Sequence, residues 1–193
     1  MSSSFDTAYE GTPAWDLGHP QPAIVRLVER DRIRGAVLDA GCGTGENALF
    51  LAGRGHRVLG IDRAAAAVER AMAKGRERGL EAEFLVWDAL RADELGREFD
   101  TVVDVGLFHT FAGDERVPYA RALAGAVRPG GHLLLLCWSE RNEWGFGPRR
   151  VTHMEIRGTF HDGWAVEGIE PETYETSLEP GAHAWLATIR REP

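Results

Sequence analysis

The sequence predicts an α/β fold in which helices cover both faces of a doubly wound, mostly parallel sheet. The first observation behind this prediction is the alternation of strand and helix signals from Val37 onward. The second is segment 132–138, which is almost entirely apolar, as expected for a strand covered on both faces. The third is the irregular connection between the last two strand-like segments. It has no room for a crossover helix, so it predicts an antiparallel pair.

The length and composition of the chain favour one globular domain. Its 193 residues are enough for a hydrophobic core, and we place a lead-in with a helix in residues 1–35 and the α/β core in residues 36–193. Lys and Arg number 22 against 30 Asp and Glu, and the net charge is −8. This charge weighs against a nucleic-acid partner, because affinity for nucleic acid depends on Lys and Arg contacts to phosphates.

Other features of the composition bear on location. No apolar run approaches the roughly 20 residues of a membrane span, and the N-terminus lacks the pattern of a secretory signal, so we expect no membrane partner. Cys42 and Cys137 both fall in predicted core or turn segments. Two such cysteines indicate a reducing, cytoplasmic setting and no disulfide framework.

The elements follow from local patterns along the chain. Residues 5–23 are irregular and rich in Pro and Gly, and Pro22 suits the first turn of a helix. Seven strands are predicted at 36–39, 57–62, 83–88, 101–105, 132–138, 164–169 and 184–190. Helices are predicted over 46–53, 64–78 and 152–160 and after an N-cap at Asp114, with at most a short helix over 90–95. In helix 64–78 we expect Val68, Ala71 and Met72 to be buried.

The turn after the first strand carries the strongest functional signal. The strand ends at Asp39, and Gly41, Gly43 and Gly45 follow at every second position before a helix. A dinucleotide fingerprint would need glycine where Glu46 stands, and a phosphate-binding P-loop would need Lys with Ser or Thr. Asp39 would also repel a phosphate and would suit a ligand with an ammonium group. S-adenosylmethionine has an α-amino group, a sulfonium and no phosphate.

The stretch Asp-Ala-Gly-Cys-Gly-Thr-Gly over residues 39–45 resembles the first motif of class I S-adenosylmethionine-dependent methyltransferases. The resemblance implies a Rossmann-like seven-stranded sheet and S-adenosylmethionine as cofactor, with S-adenosylhomocysteine as product. It also implies that Asp39 and the turn formed by Gly41, Cys42, Gly43 and Gly45 hold the methionine end. For Cys42 itself, buried packing is the alternative to any reactive role.

Acids recur at the predicted ends of four successive strands, namely Asp39, Asp62, Asp88 and Asp104. Ligands of such sheets bind beyond these ends, so four acids there predict a negatively charged crevice for a cationic cofactor. The alternative for any one of them is a helix cap. The resemblance implies the individual roles. Asp62 would accept the ribose hydroxyls, and Arg63, Asp88 and Ala89 would contact the adenine. Asp104, Val105 and Gly106 would lie beneath the methionine part.

Two further stretches concern the acceptor. The lead-in around Trp15 and the segment Gly106-Leu107-Phe108-His109 resemble the thiopurine S-methyltransferase and thiol/halide methyltransferase branch. In that branch a Trp-containing N-terminal segment folds over the cofactor, and Trp15 matches that role, with core packing as its alternative. We therefore expect a small, partly apolar pocket for a small-molecule acceptor. The predicted substrate-binding residues are Trp15, Phe108, His109, Trp144 and Arg149.

The chemistry of the acceptor remains open at this stage. A thiolate or halide needs little help in a direct displacement, whereas a hydroxyl or amine would need a base, for which His109 is the candidate. Backbone hydrogen bonding is the alternative for His109, and Arg149 could equally be a solvated surface charge. No metal-ligand spacing is evident, so no metal is expected. The hypotheses are a thiol-type methyltransferase, an O- or N-methyltransferase of small aromatic compounds, and a non-catalytic sensor, as a monomer or homodimer.

Overall fold

The computed structural model describes residues 8, 9, 11–143, 145, 147–178 and 181–193. The lead-in is followed by α1 (Pro22–Glu29), β1 (Ala36–Ala40), α2 (Glu46–Gly53), β2 (Arg57–Asp62), α3 (Ala65–Arg78) and β3 (Glu83–Val86). A 3₁₀ segment over Ala89–Leu95 then leads to β4 (Phe99–Val105), and a second 3₁₀ turn over Phe108–Thr110 leads to α4 (Arg116–Ala126). The chain ends with β5 (Val127–Trp138), α5 (His153–Thr159), β6 (Trp164–Tyr174) and β7 (Ala182–Arg191).

The seven strands form one sheet in the order β3-β2-β1-β4-β5-β7-β6. Strands β1 to β5 pair in parallel, and β7 runs antiparallel to both of its neighbours, β5 and β6. The predicted doubly wound fold with an antiparallel C-terminal strand is confirmed. Strand order reverses between β1 and β4, which pair with Ala40 opposite Asp104, so the crevice for a ligand opens there.

The core lies on both faces of the sheet, because successive residues of a strand point to opposite sides. Along β1, Val37 packs with residues of α1, α2 and α3, whereas Leu38 packs on the other face with residues of α4 and the 3₁₀ segment. In the part of the chain that the structure describes, no helix is both long and apolar enough to span a bilayer.

Several predicted boundaries and one burial prediction were wrong. Strand β3 stops at Val86, two residues before Asp88, and α4 begins at Arg116, so Asp114 is not its N-cap. Strand β5 begins directly after α4, earlier than residue 132, and β6 and β7 are longer than predicted. Met72 is 44% exposed, because α3 turns its buried face through the small residues Ala67, Ala71 and Gly75.

Candidate active site

The turn after β1 requires its glycines. Gly41, Gly43 and Gly45 have φ of 74°, 54° and 84°, in the left-handed region that glycine adopts without strain. A Cβ on Gly41 would lie 2.9 Å from Leu107 Cβ, and one on Gly43 would lie 3.0 Å from the Tyr9 hydroxyl oxygen. Residues from two other segments therefore approach this backbone closely, and Cys42 between the glycines is buried, as expected.

Two fully buried carboxyl groups, Asp39 and Asp104, lie behind this turn. Asp104 Oδ1 accepts hydrogen bonds from the backbone N–H groups of Leu107 (2.9 Å) and Phe108 (3.2 Å), and its Oδ2 accepts one from the Tyr119 hydroxyl (2.8 Å). Asp39 differs, because neither of its oxygens has a described partner with hydrogen-bond geometry, although the Ala48 backbone N–H lies near enough to lower its pKa. A buried acceptor without a partner is costly, and an ammonium group would supply one.

The burial of these carboxyl groups controls their protonation. Desolvation, together with the charges of Asp104 and Asp62, raises the pKa of Asp39 to about 7. Desolvation also raises the pKa of Asp104 to about 7, although its three hydrogen bonds act in the opposite direction. Near neutral pH each group is therefore only partly ionised, and a positively charged ligand would favour the ionised form.

Asp62 and Asp88 occupy different environments at the neighbouring strand ends. Asp62 ends β2, and its Oδ2 accepts from the Gly43 backbone N–H at 2.9 Å while Oδ1 accepts from the Ala64 N–H at 2.9 Å. Asp88 is exposed and caps the 3₁₀ segment by accepting from the Leu90 N–H at 3.0 Å, the capping alternative considered from the sequence. Arg63 is exposed and Ala89 is buried, so these two flank the same edge.

Hydrogen bonds hold the lead-in against the glycine turn. The Trp15 indole donates to the Tyr9 hydroxyl at 3.0 Å, and Tyr9 is buried, with burial and Asp62 raising the pKa of its hydroxyl. Arg70 of α3 donates to the backbone oxygens of Tyr9 and Gly11. The sequence did not identify Tyr9 as a site residue, because only the fold brings it to Gly43.

A second set of contacts fastens the lead-in closer to α2. The Thr44 hydroxyl donates to Asp16 Oδ1 at 2.7 Å, and Lys74 binds both Thr44 and Glu46. The Gln21 backbone N–H donates to Asn47 Oδ1 at 2.9 Å. Trp15 itself remains 41% exposed.

The backbone after β4 forms the other wall of the crevice. Gly106 has a φ of 92°, and a Cβ there would lie 2.5 Å from the Tyr174 hydroxyl oxygen and 3.3 Å from His109 Cε1. Val105 precedes it and is partly buried. Tyr174, at the end of β6, was not identified from the sequence, because nothing local indicates that β6 reaches this wall.

His109 is held in a neutral state. It is 6% exposed, and its Nδ1 accepts from the Trp138 backbone N–H at 3.2 Å. Burial, together with the charges of Arg116 and Arg150, lowers the pKa of His109 to about 3. This imidazole does not have the near-neutral pKa of a general base, and the backbone-bonding alternative describes it better.

The remaining predicted acceptor residues are dispersed. Phe108 is fully buried and packs against Phe160 and Tyr119, so its ring belongs to the core and not to the pocket wall predicted from the sequence. Arg149 is about half exposed and forms an ion pair with Glu155 at 2.5 Å. Trp144 lies outside the described residues.

Comparisons with known proteins agree with this geometry. A family model described as a methyltransferase domain matches residues 37–131. The 2-heptyl-1-hydroxyquinolin-4(1H)-one methyltransferase of Mycobacteroides abscessus is 33% identical over 185 residues, covering 89% of this chain and 80% of that protein. Probable thiol methyltransferase 2 of Arabidopsis thaliana is 30% identical over 163 residues, covering 80% of this chain and 70% of that protein.

A solved structure from work on the conversion of a disulfide bond into a thioacetal group during echinomycin biosynthesis has 38% identity and a TM-score of 0.89. The match covers 97% of this chain and 90% of that chain. The glycine turn, the buried acids and the sheet order therefore occur in a chain with curated methyltransferase relatives along most of its length. The chain belongs to the S-adenosylmethionine-dependent methyltransferases.

Proposed function

We propose that this enzyme methylates a small molecule at a sulfur atom that reacts as its anion. For the cofactor, the single observation that carries the proposal is Asp39, a buried carboxyl group without a partner among the described residues. For the acceptor, it is His109, whose Nδ1 already accepts from the Trp138 backbone N–H and whose pKa is lowered by burial, so that it is a poor base. An acceptor that arrives as a thiolate needs no base.

The residues of the crevice divide the cofactor between them. Asp39 would accept the α-ammonium group, next to the turn formed by Gly41, Cys42 and Gly45. Asp62, whose Oδ2 accepts a hydrogen bond from the Gly43 N–H, would also accept hydrogen bonds from the ribose hydroxyls. The adenine would lie along Arg63, Asp88 and Ala89, and the methionine part would rest on Asp104, Val105 and Gly106. Trp15 would cover the site from the lead-in.

The bound cofactor supplies a methyl group on a positively charged sulfur. The enzyme's part is to place the acceptor in line with that bond, at about 3–3.5 Å, in a site with little water. With a thiolate as acceptor, the methyl group would come from the bound cofactor, and the enzyme would need no group to remove a proton. The curated Arabidopsis relative named as a probable thiol methyltransferase supports a sulfur acceptor, as does the solved structure from the thioacetal work.

A second candidate is an acidic hydroxyl acceptor. The Mycobacteroides relative is named for a 1-hydroxyquinolin-4-one, and its match extends over 89% of this chain. An N-hydroxyl of this kind also ionises more readily than an alcohol, so it too would react without help from His109. Both candidates therefore have an acceptor that becomes an anion near neutral pH, and they differ only in the atom that is methylated.

Two measurements test the proposal. Calorimetry should show micromolar binding of S-adenosylhomocysteine to the wild type and to Asp114→Asn, an exposed control, and loss of most of it in Asp62→Ala. A screen of thiols, 1-hydroxyquinolin-4-ones, amines and tRNA, read by homocysteine release, should give the highest kcat/KM with a thiol. A preference for tRNA or an amine would contradict the acceptor assignment. Cofactor binding with no turnover in the whole screen would favour the sensor hypothesis.

A further inference from the structure

Arg116, in the first turn of α4, is a buried cation that the cofactor does not use. It is 3% exposed, and its Nη1 donates to Glu155 Oε1 at 2.8 Å. Its Nε and Nη2 are buried and have no hydrogen-bond partner among the described residues. These two N–H groups lie on the same edge of the planar guanidinium, the arrangement that binds a carboxylate with two parallel hydrogen bonds.

Arg116 shares its carboxylate partner with a second guanidinium group. Glu155 Oε1 accepts from both Arg116 and Arg149, and its Oε2 accepts from the Thr152 backbone N–H and hydroxyl. Arg149 is 48% exposed, so water screens its charge. The cost at Arg116 is that of its two buried N–H groups, which have no partner among the described residues, and an added anion at this edge would supply one. The Phe108 ring, 4.7 Å from the Arg116 Cζ, covers only the face of the group.

The position of Arg116 places this charge beside the acceptor side of the crevice. It stands three residues before Tyr119, on the same face of α4, and Tyr119 donates to Asp104 beneath the cofactor site. Its charge also acts on His109, next to Gly106. Arg116 is therefore on the buried face of α4, with Tyr119, and close enough to His109 for its charge to act there.

Building on the proposed function, we infer that the acceptor carries a carboxylate-like group, separate from its nucleophilic sulfur, that binds the Nε–Nη2 edge of Arg116. Both ends of the acceptor then have a defined partner. Asp39 and Asp104 select the cationic cofactor. The guanidinium edge of Arg116 selects an anionic acceptor and orients it toward the cofactor. Arg116 is thus a specificity-determining residue, and the bound anion removes the cost of its two unsatisfied N–H groups.

The test uses 2-mercaptobenzoate and 2-mercaptobenzamide, which differ only in carboxylate against neutral amide. Dissociation constants for both are measured under reducing conditions with the full chain saturated with S-adenosylhomocysteine. The proteins are the wild type, Arg116→Met, Arg116→Lys and the control Arg121→Met, an exposed arginine of the same helix. The wild type and the control should bind the benzoate at least about tenfold more tightly than the amide. Arg116→Met should lose this preference. Arg116→Lys should lose most of it, because an ammonium group cannot donate two parallel hydrogen bonds to a carboxylate from one planar edge.

Equal affinity of the wild type for the two probes, or no binding of the benzoate, would overturn the inference. So would a preference that survives in Arg116→Met, or an equal weakening of both probes, which would show a purely structural role. If Arg116→Met does not fold, Arg116→Lys, which can keep the ion pair with Glu155, decides in the same way. Loss of S-adenosylhomocysteine binding by the wild type is a separate result, which would overturn the proposed function instead.

Discussion

Replacing Asp39 by asparagine should change the stability of the ligand-free enzyme in a pH-dependent way. Burial and the neighbouring Asp104 and Asp62 raise the pKa of Asp39 from 3.8 to about 7. Between these two pKa values the carboxyl group is ionised in the unfolded state but protonated in the folded state. Its contribution therefore destabilises the folded state more and more as the pH rises from about 4 to about 7. The cost is about 4 kcal/mol at pH 8 and roughly 1–2 kcal/mol at pH 5.

The measurement is urea unfolding of the wild type and Asp39→Asn at pH 8 and pH 5. A buried amide has its own cost of unsatisfied hydrogen bonds, but that cost does not depend on pH. The free energy of unfolding of the variant, relative to the wild type, should therefore be higher at pH 8 than at pH 5 by roughly 2–3 kcal/mol. Asp114→Asn corrects for the loss of one charge from a net charge of −8. If the difference in free energy of unfolding between variant and wild type were the same at both pH values, Asp39 would not be a desolvated carboxyl group with a raised pKa.

The remaining predictions concern the lead-in and the wall after β4. Asp16→Ala removes the acceptor of the Thr44 hydroxyl, so it should weaken S-adenosylhomocysteine binding about fivefold and speed proteolysis of the lead-in; equal proteolysis of wild type and variant would contradict this. His109→Gln should change kcat/KM by less than about threefold between pH 6 and 9, because His109 is neutral throughout; a lost pH dependence would restore it as a base. Gly106→Ala should lower the free energy of unfolding by about 2 kcal/mol, since its Cβ would lie 2.5 Å from the Tyr174 hydroxyl oxygen. Adding Tyr174→Phe should recover part of that loss but not the strain of φ 92°, and no recovery would place the cost elsewhere.

The alternation of elements was predictable because it depends on local patterns. Helix α2 and strand β2 begin and end where the sequence places them, since glycines and polar residues bound both. The errors occur where tertiary contacts decide. Strand β6 extends to Tyr174 because it pairs with β7 along its whole length, which its own polar sequence does not indicate. Strand β5 starts at Val127 because its neighbour Phe99 pairs there.

The sequence by itself determined the sheet class, the glycine turn and the acids Asp39, Asp62 and Asp104, because a strand end, a left-handed turn and a cationic ligand each require particular residue types in sequence. Only the tertiary structure decided which of those acids is buried without a partner, that His109 is neutral, and that Tyr9 and Tyr174 approach the glycines of the crevice. Desolvation and contacts between distant segments set these properties. Neither can be read from neighbours along the chain, since both depend on what the fold places within a few ångströms.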